Sequence, residues 1–518
     1  MTRLANSRSN HQSIFHLHSS PAVFIIATAP TMLMWLVTSL LATMTSILSS
    51  LFTSANTALT SRVQALRDAE NSLIDLARHQ RFLGGGPDME QEIVAFDTEI
   101  PRSVLPLASK QGGVCGGGKG NGGKCQINTV DDNEEHYIVH GVKVDNTVSS
   151  PSTTVLKSPL VILHGYMNGS LYFYRNLSGL ARYFSSVYSL DQLGWGLSSR
   201  PSFEHHVPNG VGCDDANEKN NNEFCPVETS EAFFVESLEA WRRANNIDRM
   251  NLLGHSMGGY LSVAYAERYP QHVDRLILLS PVGVPRHDPE EDPLSRPDIS
   301  LRYKMLFGTF RFLWSRGTTP GSFARSIPQS QARNMIDKYV EGRLPAVTCT
   351  NERKVLGDYL FHSAMLPGSG EFCLNRILKP GAYARKPTVN RIPKLDVDNI
   401  SFIYGEYDWM DPMGGLEVQR RCDEIRNVGG KAPKIDVLGV RHAGHMLMIE
   451  NWEETNSAII LAAGTKLDRT APLPGKFTDG KDVGFFKGSR FRRPSADDEP
   501  STASTDEPSP VIDPVGSS

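Results

Sequence analysis

Cysteine is scarce in this chain of 518 residues, and charge of one sign hardly exceeds charge of the other. The seven cysteines include no Cys-x-x-Cys pair, which argues against a zinc site and against a thioredoxin-like redox motif. The formal net charge of −4 leaves no basic field of the kind that binds nucleic acid. We therefore expect no metal, no cofactor and no nucleic-acid partner.

Two of the cysteines bracket a polar loop. Cys213 and Cys225 flank a run that is rich in asparagine and aspartate, and they would pair as a disulfide in an oxidising compartment. In a reducing compartment both would stay free thiols. We favour the free thiols, and the pairing stays open as the alternative.

Charged side chains are missing from residues 9–61. Within this stretch apolar residues recur at helical spacing, at Leu33, Leu36, Val37, Leu40, Leu41, Met44, Ile47, Leu48 and Leu51. A helix over residues 32–52 would be about 31 Å long, close to the thickness of a bilayer core. A transmembrane anchor, an amphipathic helix in the membrane plane and a cleaved targeting segment all fit. We expect membrane association, with mitochondrion, plastid, endoplasmic reticulum and lipid droplet as alternatives.

Composition and hydropathy divide the chain into six segments. They are an N-terminal anchor or targeting segment (1–60), a helix and flexible linker (61–129), the first part of an α/β core (130–285), a helical cap (286–390), the second part of the core (391–465) and a disordered tail (466–518). The tail is assigned from its abundance of proline, serine, aspartate and lysine. The core is thus predicted to be interrupted by the cap.

Short apolar runs alternate with helical stretches from residue 136 onward. The predicted strands are 136–142, 160–163, 187–190, 250–253, 276–279, 400–404 and 435–438. Apolar runs that are nearly continuous are typical of strands buried on both faces of a parallel sheet. Their alternation with helices indicates crossover connections. The pattern predicts an α/β fold with a mostly parallel central sheet flanked by helices.

A serine lies between a predicted strand and a predicted helix, in the sequence Gly-His-Ser-Met-Gly at 254–258. A serine hydroxyl needs a neighbouring base and an orienting acid to act as a nucleophile at neutral pH. The α/β-hydrolase fold places such a serine on a tight strand-to-helix turn, with small residues on both sides. Because strand 250–253 precedes the motif and helix 261–268 follows it, we predict that Ser256 is the nucleophile of an α/β-hydrolase fold.

The same fold orders its catalytic residues along the chain as serine, acid and histidine. Asp408 follows strand 400–404 and is the preferred acid, whereas Asp411, a short turn further on, is the alternative. His445 follows the last predicted strand and precedes an apolar helix start, so it is preferred as the base over His442. We predict that the serine, Asp408 and His445 form a catalytic triad.

Acyl transfer also needs N–H donors for the developing oxyanion, each worth roughly 3–4 kcal/mol in other serine hydrolases. The backbone N–H of Met257, directly after the nucleophile, is one predicted donor. The second is expected from the His-Gly-Tyr loop that follows strand 160–163. There we prefer the N–H of Tyr166 over that of Met167.

Several stretches of the chain resemble one branch of the α/β-hydrolases. They are 163–166, 191–201, 252–260, 381–387 and 405–410. The run Asp-Gln-Leu-Gly-Trp-Gly-Leu-Ser-Ser-Arg-Pro at 191–201 is far more specific than the serine motif. The branch contains plant soluble lysophosphatidate acyltransferases, a yeast mitochondrial cardiolipin deacylase, an animal N-acyl-phospholipid lipase and an animal lipase coactivator. The resemblance covers roughly residues 130–465 and implies acyl-ester chemistry on phospholipids or lysophospholipids.

The resemblance also implies a His-x4-Asp motif, credited in some members with acyl-CoA-dependent acylation of lysophosphatidate. Here the motif runs from His445 to Glu450, so glutamate replaces aspartate. His445 is also the predicted triad base, and one histidine would serve both reactions. An acyl-enzyme on Ser256 can pass its acyl group to water or to a lipid hydroxyl, and the exclusion of water would decide between them.

Three functions follow from these residues. We expect a membrane-associated phospholipase or lysophospholipase that cleaves acyl esters through an acyl-enzyme. The first alternative is an acyl-CoA-dependent lysophosphatidate acyltransferase, with acyl-CoA as its co-substrate. The second is a non-enzymatic regulator of another lipase on a membrane or lipid-droplet surface. The coactivator of the branch lacks the nucleophilic serine, whereas Ser256 is present here, so the enzymatic functions are favoured.

Overall fold

The computed structural model describes residues 57–78, 92–105, 136–147, 155–203, 226–286, 301–467 and 471–476. The chain divides into two compact units, 1–62 and 63–518, and the described residues of the first are helical. The predicted membrane segment, Cys213 and Cys225 lie outside the described residues. Among the helices that are described, none combines the length and the hydropathy needed to cross a membrane.

The second unit contains a sheet in which nine strands fall within the described residues. The strands are β1 (Ile93–Pro101), β2 (His136–Asp145), β3 (Leu160–Leu163), β4 (Ser186–Leu190), β5 (Met250–His255), β6 (Val273–Leu279), β7 (Asn399–Gly405), β8 (Lys434–Val440) and β9 (Gly475–Lys476). Their spatial order is β1-β2-β4-β3-β5-β6-β7-β8-β9. The six strands from β4 across to β8 pair in parallel, and antiparallel strands lie at both edges. The predicted mostly parallel sheet is confirmed.

The central strands are buried on both faces, which explains their continuous apolar sequences. All four residues of β3 and all six residues of β5 are buried. Val161 and Leu163 belong to one apolar cluster, and Leu160 and Ile162 belong to another. Since side chains alternate between the two faces of a strand, one cluster covers each face of the sheet.

Helices cover both faces and fill the insertion between β6 and β7. Their described bounds are 57–78, Leu177–Ala181, Pro226–Ala244, Met257–Arg268, Leu301–Ser315, Pro320–Ser326, Gln329–Arg343, Thr350–Met365, Leu374–Ile377, Met413–Asn427, Leu447–Glu450 and Trp452–Ala462. Five of them, from residue 301 to residue 377, lie within the stretch that we predicted as a helical cap. The sheet with flanking helices is therefore an α/β-hydrolase architecture.

The sheet extends beyond the predicted core segments at both ends. Strand β1 lies within 61–129, where we predicted a helix and a flexible linker, and it pairs along its whole length with β2. Strand β9 lies within the tail 466–518, where Gly475 pairs with Gly439 of β8. Within the described part of the chain both strands pair on one side only, and β1 exposes most of its middle residues. Edge strands need no continuous apolar run, so the pattern of buried strands did not reveal them.

Candidate active site

Ser256 lies on the tight turn between β5 and the helix Met257–Arg268. Its φ of 54° and ψ of −114° lie outside the regions that residues other than glycine usually adopt. Glycines on both sides make this turn feasible. A Cβ at Gly254 would lie 2.3 Å from the carbonyl oxygen of Gly258, and a Cβ at Gly258 would lie 2.4 Å from that of Leu163. Such backbone strain amounts to about 1–3 kcal/mol and is concentrated at functional sites.

The structure brings the three predicted triad residues together at the carboxyl edge of the parallel strands. Nε2 of His445 lies 3.1 Å from Oγ of Ser256, and Nδ1 of His445 lies 3.0 Å from Oδ1 of Asp408. The side chain of Asp408 is fully buried, and that of His445 is 10 % exposed. The N–H of Met410 also donates to Oδ1 of Asp408, at 2.9 Å, which orients the carboxylate. In such an arrangement an imidazole can accept the proton of a serine hydroxyl, and a carboxylate can stabilise the resulting imidazolium.

The alternative acid and the alternative base lie apart from this arrangement. Oδ1 of Asp411 accepts the N–H of Met413 at 3.0 Å, at the start of the following helix. The side chain of His442 is 75 % exposed, and its Nδ1 lies 3.9 Å from Glu406. The geometry therefore pairs His445 with Asp408.

The two predicted oxyanion donors belong to segments beside the nucleophile. Met257 is the first residue of its helix, and the first N–H groups of a helix have no partner within it. Gly165 precedes Tyr166 and lies so near the nucleophile that a Cβ there would be 3.1 Å from Cβ of Ser256. The ring of Tyr166 packs against Trp195 with 5.1 Å between ring centroids. The role of the two N–H groups as oxyanion donors stays a prediction.

Two aromatic side chains beside the base were missed by sequence reasoning. The ring of Trp409 lies 5.1 Å from the imidazole of His445, and the ring of His255 lies 4.9 Å from it. Nε2 of His255 donates to the backbone carbonyl of His445 at 2.9 Å. Burial and the neighbouring His445 lower the pKa of His255 well below its usual value. The position of His255 inside the serine motif was the available signal, since it places this ring at the same edge of the sheet.

Glu450 ends the candidate acyltransferase motif that begins at His445. Its Oε2 accepts the N–H of Gly444 at 2.9 Å, one residue before the base. The glutamate therefore contacts the backbone of the segment that carries the base. Its role in acyl transfer stays a prediction.

A second histidine–carboxylate cluster lies where residues 63–78, β1 and β2 meet. His140 contacts Oε1 of Glu70 through Nε2 at 2.9 Å and Oδ1 of Asp97 through Nδ1 at 2.6 Å. Burial lowers the pKa of His140, but the hydrogen bonds to Asp97 and Glu70 outweigh it and raise the pKa to about 10. The carboxylate of Asp191 lies in the same buried group. An imidazole protonated on both nitrogens has no lone pair for a metal, so we interpret the cluster as a buried ion-pair network.

Residues 158–451 match the family described as the alpha/beta hydrolase fold, which is more than half of the chain. This chain belongs to the α/β-hydrolase family. It is 30 % identical over 399 residues to the 1-acylglycerol-3-phosphate O-acyltransferase of Arabidopsis thaliana, covering 76 % of this chain and 85 % of the relative. It is 26 % identical over 370 residues to Protein ECM18 of Saccharomyces cerevisiae, covering 63 % and 77 %.

This chain is also similar to an animal protein. It is 30 % identical over 316 residues to the 1-acylglycerol-3-phosphate O-acyltransferase ABHD5 of Homo sapiens, covering 58 % of this chain and 76 % of the relative. These similarities confirm the resemblance to α/β-hydrolase lipid enzymes. Together with the fold, they support an enzyme of the α/β-hydrolase class with lipid-modifying activity.

Proposed function

We propose that this α/β-hydrolase is a serine hydrolase that cleaves acyl esters of phospholipids or lysophospholipids at a membrane surface. The observation that carries the proposal is the hydrogen-bonded series from Ser256 through His445 to Asp408, with distances of 3.1 and 3.0 Å. At such distances a base can take the proton of a serine hydroxyl. The printed names of the plant and animal relatives support a lipid substrate.

In the first half-reaction, Nε2 of His445 takes the hydroxyl proton of Ser256 while Oγ attacks the ester carbonyl carbon. The N–H groups of Met257 and Tyr166 donate to the oxyanion of the tetrahedral intermediate. The bond to the glycerol oxygen then breaks, and His445 passes the proton to that oxygen. Asp408 stabilises the imidazolium between these two proton transfers.

In the second half-reaction, water attacks the acyl-enzyme and gives its proton to His445. The bond between the acyl carbon and Oγ breaks, the fatty acid leaves, and His445 returns the proton to Ser256. A lysophospholipid hydroxyl in place of water would give a diacyl lipid by the same steps. The acyl acceptor therefore decides between hydrolysis and transfer.

The second candidate function is acyl-CoA-dependent acylation of lysophosphatidate, in which acyl-CoA supplies the acyl group. The relatives named 1-acylglycerol-3-phosphate O-acyltransferase favour it. The spacing of His445 and Glu450 is the sequence feature that links this chain to that activity. Both candidates use the same nucleophile and base, and they differ in the acyl donor and acceptor.

A lipid turnover profile tests both candidates. Wild type and Ser256→Ala are each incubated with phospholipid and lysophospholipid vesicles, with and without acyl-CoA. We expect wild type to release fatty acid, and Ser256→Ala to do so at least about 10³-fold more slowly. Phosphatidate formation that requires acyl-CoA and lysophosphatidate, without fatty acid release, would select the acyltransferase. Turnover that Ser256→Ala retains would contradict both.

A further inference from the structure

We propose that Glu450 and His255 are positioning residues that hold the backbone on both sides of His445. The segment concerned, residues 443–446, is here called the base loop. The inference rests on the proposed use of His445 as the base. The glutamate of the His-x4-Glu motif would then serve both hydrolysis and acyl transfer, and not acyl transfer alone.

The base loop lies between the end of β8 and the helix Leu447–Glu450 and contains no regular structure of its own. The peptide bond between Ala443 and Gly444 is held at both polar groups. Its N–H donates to Oε2 of Glu450 at 2.9 Å, and its carbonyl accepts the N–H of Tyr407 at 2.8 Å. The loop is therefore fixed one peptide before the base.

The peptide that follows the base is held by His255. The carbonyl of His445 accepts a hydrogen bond from Nε2 of His255 at 2.9 Å. Because a carbonyl cannot donate, the proton of His255 must be on Nε2. Nδ1 of His255 is buried and has no hydrogen-bond partner among the described residues, which fits the neutral tautomer.

The neutrality of His255 matters for the base beside it. Burial, together with His445, lowers the pKa of His255 well below its usual value, so this ring stays uncharged at neutral pH. A charged His255 would repel the imidazolium that forms on His445 when the serine gives up its proton. A neutral ring positions the base loop without that repulsion.

The short helix that carries Glu450 is held by buried contacts to its backbone. The guanidinium of Arg175 donates to the carbonyl of Ile449 at 2.8 Å and forms an ion pair with Glu352 at 2.7 Å. The hydroxyl of Thr455 donates to the carbonyl of Leu447 at 2.9 Å. These bonds fix the short helix that ends at Glu450, so the glutamate can set the position of the loop that it contacts.

The hydrogen bonds that Glu450 and His255 make to the base loop are here called the clamp, and residues 164–166, which carry the predicted oxyanion donor, are called the oxyanion loop. The clamp also contacts the oxyanion loop. A Cβ at Gly165 would lie 2.8 Å from Nδ1 of His255 and 3.1 Å from Cβ of Ser256. The ring of His255 therefore packs between the oxyanion loop and the base loop. A small displacement of a catalytic group can lower a rate by up to about 100-fold, so loosening either contact should lower kcat without weakening substrate binding.

The test uses matched variants at both positions. Glu450→Ala removes the acceptor for the N–H of Gly444, and Glu450→Gln keeps an acceptor oxygen without the charge. His255→Phe removes the donor and keeps a ring. We expect Glu450→Ala and His255→Phe to lower kcat by about 10- to 100-fold at unchanged KM. Glu450→Gln should restore most of the wild-type kcat.

The ratio of hydrolysis to acyl transfer separates positioning from a dedicated acyltransferase role. A positioning residue affects every step that His445 performs, so Glu450→Ala should lower both rates by the same factor. Loss of transfer with hydrolysis intact would overturn the proposal. So would a Glu450→Gln variant that is as slow as Glu450→Ala, since the charge would then be the essential feature. Thermal unfolding of each variant verifies that the chain folds. If Glu450→Ala does not fold, Glu450→Gln and His255→Phe still decide the test.

A fluorophosphonate probe distinguishes failure of this proposal from failure of the proposed function. The probe reacts with an activated serine and needs no lipid. If wild type is labelled and Ser256→Ala is not, the labelling rates of the Glu450 and His255 variants test the clamp even where no phospholipid is turned over. Labelling at the wild-type rate in both Glu450→Ala and His255→Phe would overturn the clamp and leave the proposed function intact.

Discussion

Two histidines in this chain contact carboxylates at similar distances and are nevertheless suited to different tasks. His445 has a carboxylate on Nδ1 and a serine hydroxyl on Nε2. His140 has a carboxylate on each ring nitrogen. The first lies at the carboxyl edge of the parallel strands, and the second lies on the antiparallel side of the sheet, on β2.

The second ring nitrogen decides what each histidine can do. With two acids the pKa of His140 rises to about 10, so both nitrogens carry protons at neutral pH and neither can accept another. The ring is then a fixed cation that joins residues 63–78 to β1 and β2. His445 has one carboxylate, on Nδ1, and its Nε2 faces the serine hydroxyl instead of a second acid. The number of acids around the imidazole thus separates a structural cation from a base.

The largest effect is expected from changing Asp408, the carboxylate that contacts His445. In Asp408→Asn the amide can donate to Nδ1 of His445, which moves the ring proton to Nε2 and leaves no acceptor for the serine proton. The corresponding change lowers kcat about 10⁴-fold in a serine protease. We expect a loss of similar size in ester hydrolysis, with thermal unfolding near that of wild type.

Asp411→Asn is the matched control for this substitution. The side chain is three residues away and contacts the N–H of Met413 instead of the base. We expect its kcat to stay close to that of wild type. A loss in Asp411→Asn as large as in Asp408→Asn would show that the pairing of acid and base differs from the one in the structure.

Substitution of His140, the structural histidine, should lower stability and leave kcat nearly unchanged. His140→Leu leaves the buried carboxylate of Glu70 without its cation. Removal of one partner from a buried ion pair typically destabilises a protein by about 3–5 kcal/mol. We expect the free energy of unfolding in urea to fall by about that amount, while kcat of the folded protein stays near the wild-type value.

A double variant identifies the cause of that loss. Glu70→Met combined with His140→Leu removes the unpaired buried carboxylate together with the cation. It should therefore recover part of the lost stability. If the double variant is no more stable than His140→Leu, the loss comes from packing and the cluster is not the ion-pair network described above.

The two regions also differ in how far the sequence reveals them. The candidate triad follows the ends of β5, β7 and β8, and apolar runs mark these buried strands in the sequence. Because parallel strands bring their carboxyl ends to one edge of the sheet, the order serine, acid, histidine was enough to predict that Ser256, Asp408 and His445 meet. The seven strands that carry or surround the site were predicted within a few residues of their observed bounds.

The cluster around His140 had no comparable signal. Its partners Asp97 and Glu70 lie 43 and 70 residues away in the chain, and no spacing rule relates them. Asp97 lies on β1, an edge strand in which buried and exposed residues are mixed. Such a strand lacks the continuous apolar run from which the buried strands were predicted. The serine motif placed the ring of His255 at the same edge of the sheet as His445, but its hydrogen bond to the backbone carbonyl of His445 had no sequence signal. Side-chain to backbone contacts and edge pairing depend on the assembled fold.

The last prediction concerns the pH dependence of stability, which follows the proton itself and is the smallest effect when it is counted for each pH unit. The folded pKa of His140, about 10, lies above the value of about 6.5 for an unfolded histidine. Protonation therefore stabilises the folded state, fully below about pH 6.5, and the contribution is lost as the pH rises through about 10. The slope for one proton cannot exceed about 1.4 kcal/mol per pH unit. We expect the difference in unfolding free energy between wild type and His140→Leu to shrink steadily from pH 7 to pH 10.

His140→Leu serves as the reference in this measurement because both proteins share every other titrating group. The groups that face His140 are Glu70, Asp97, Asp191 and, through Asp97, Arg67. Burial raises the pKa of Glu70, and the hydrogen bond to His140 lowers the pKa of Asp97. A difference that stays constant from pH 7 to pH 10 would mean that His140 is neutral in the folded protein.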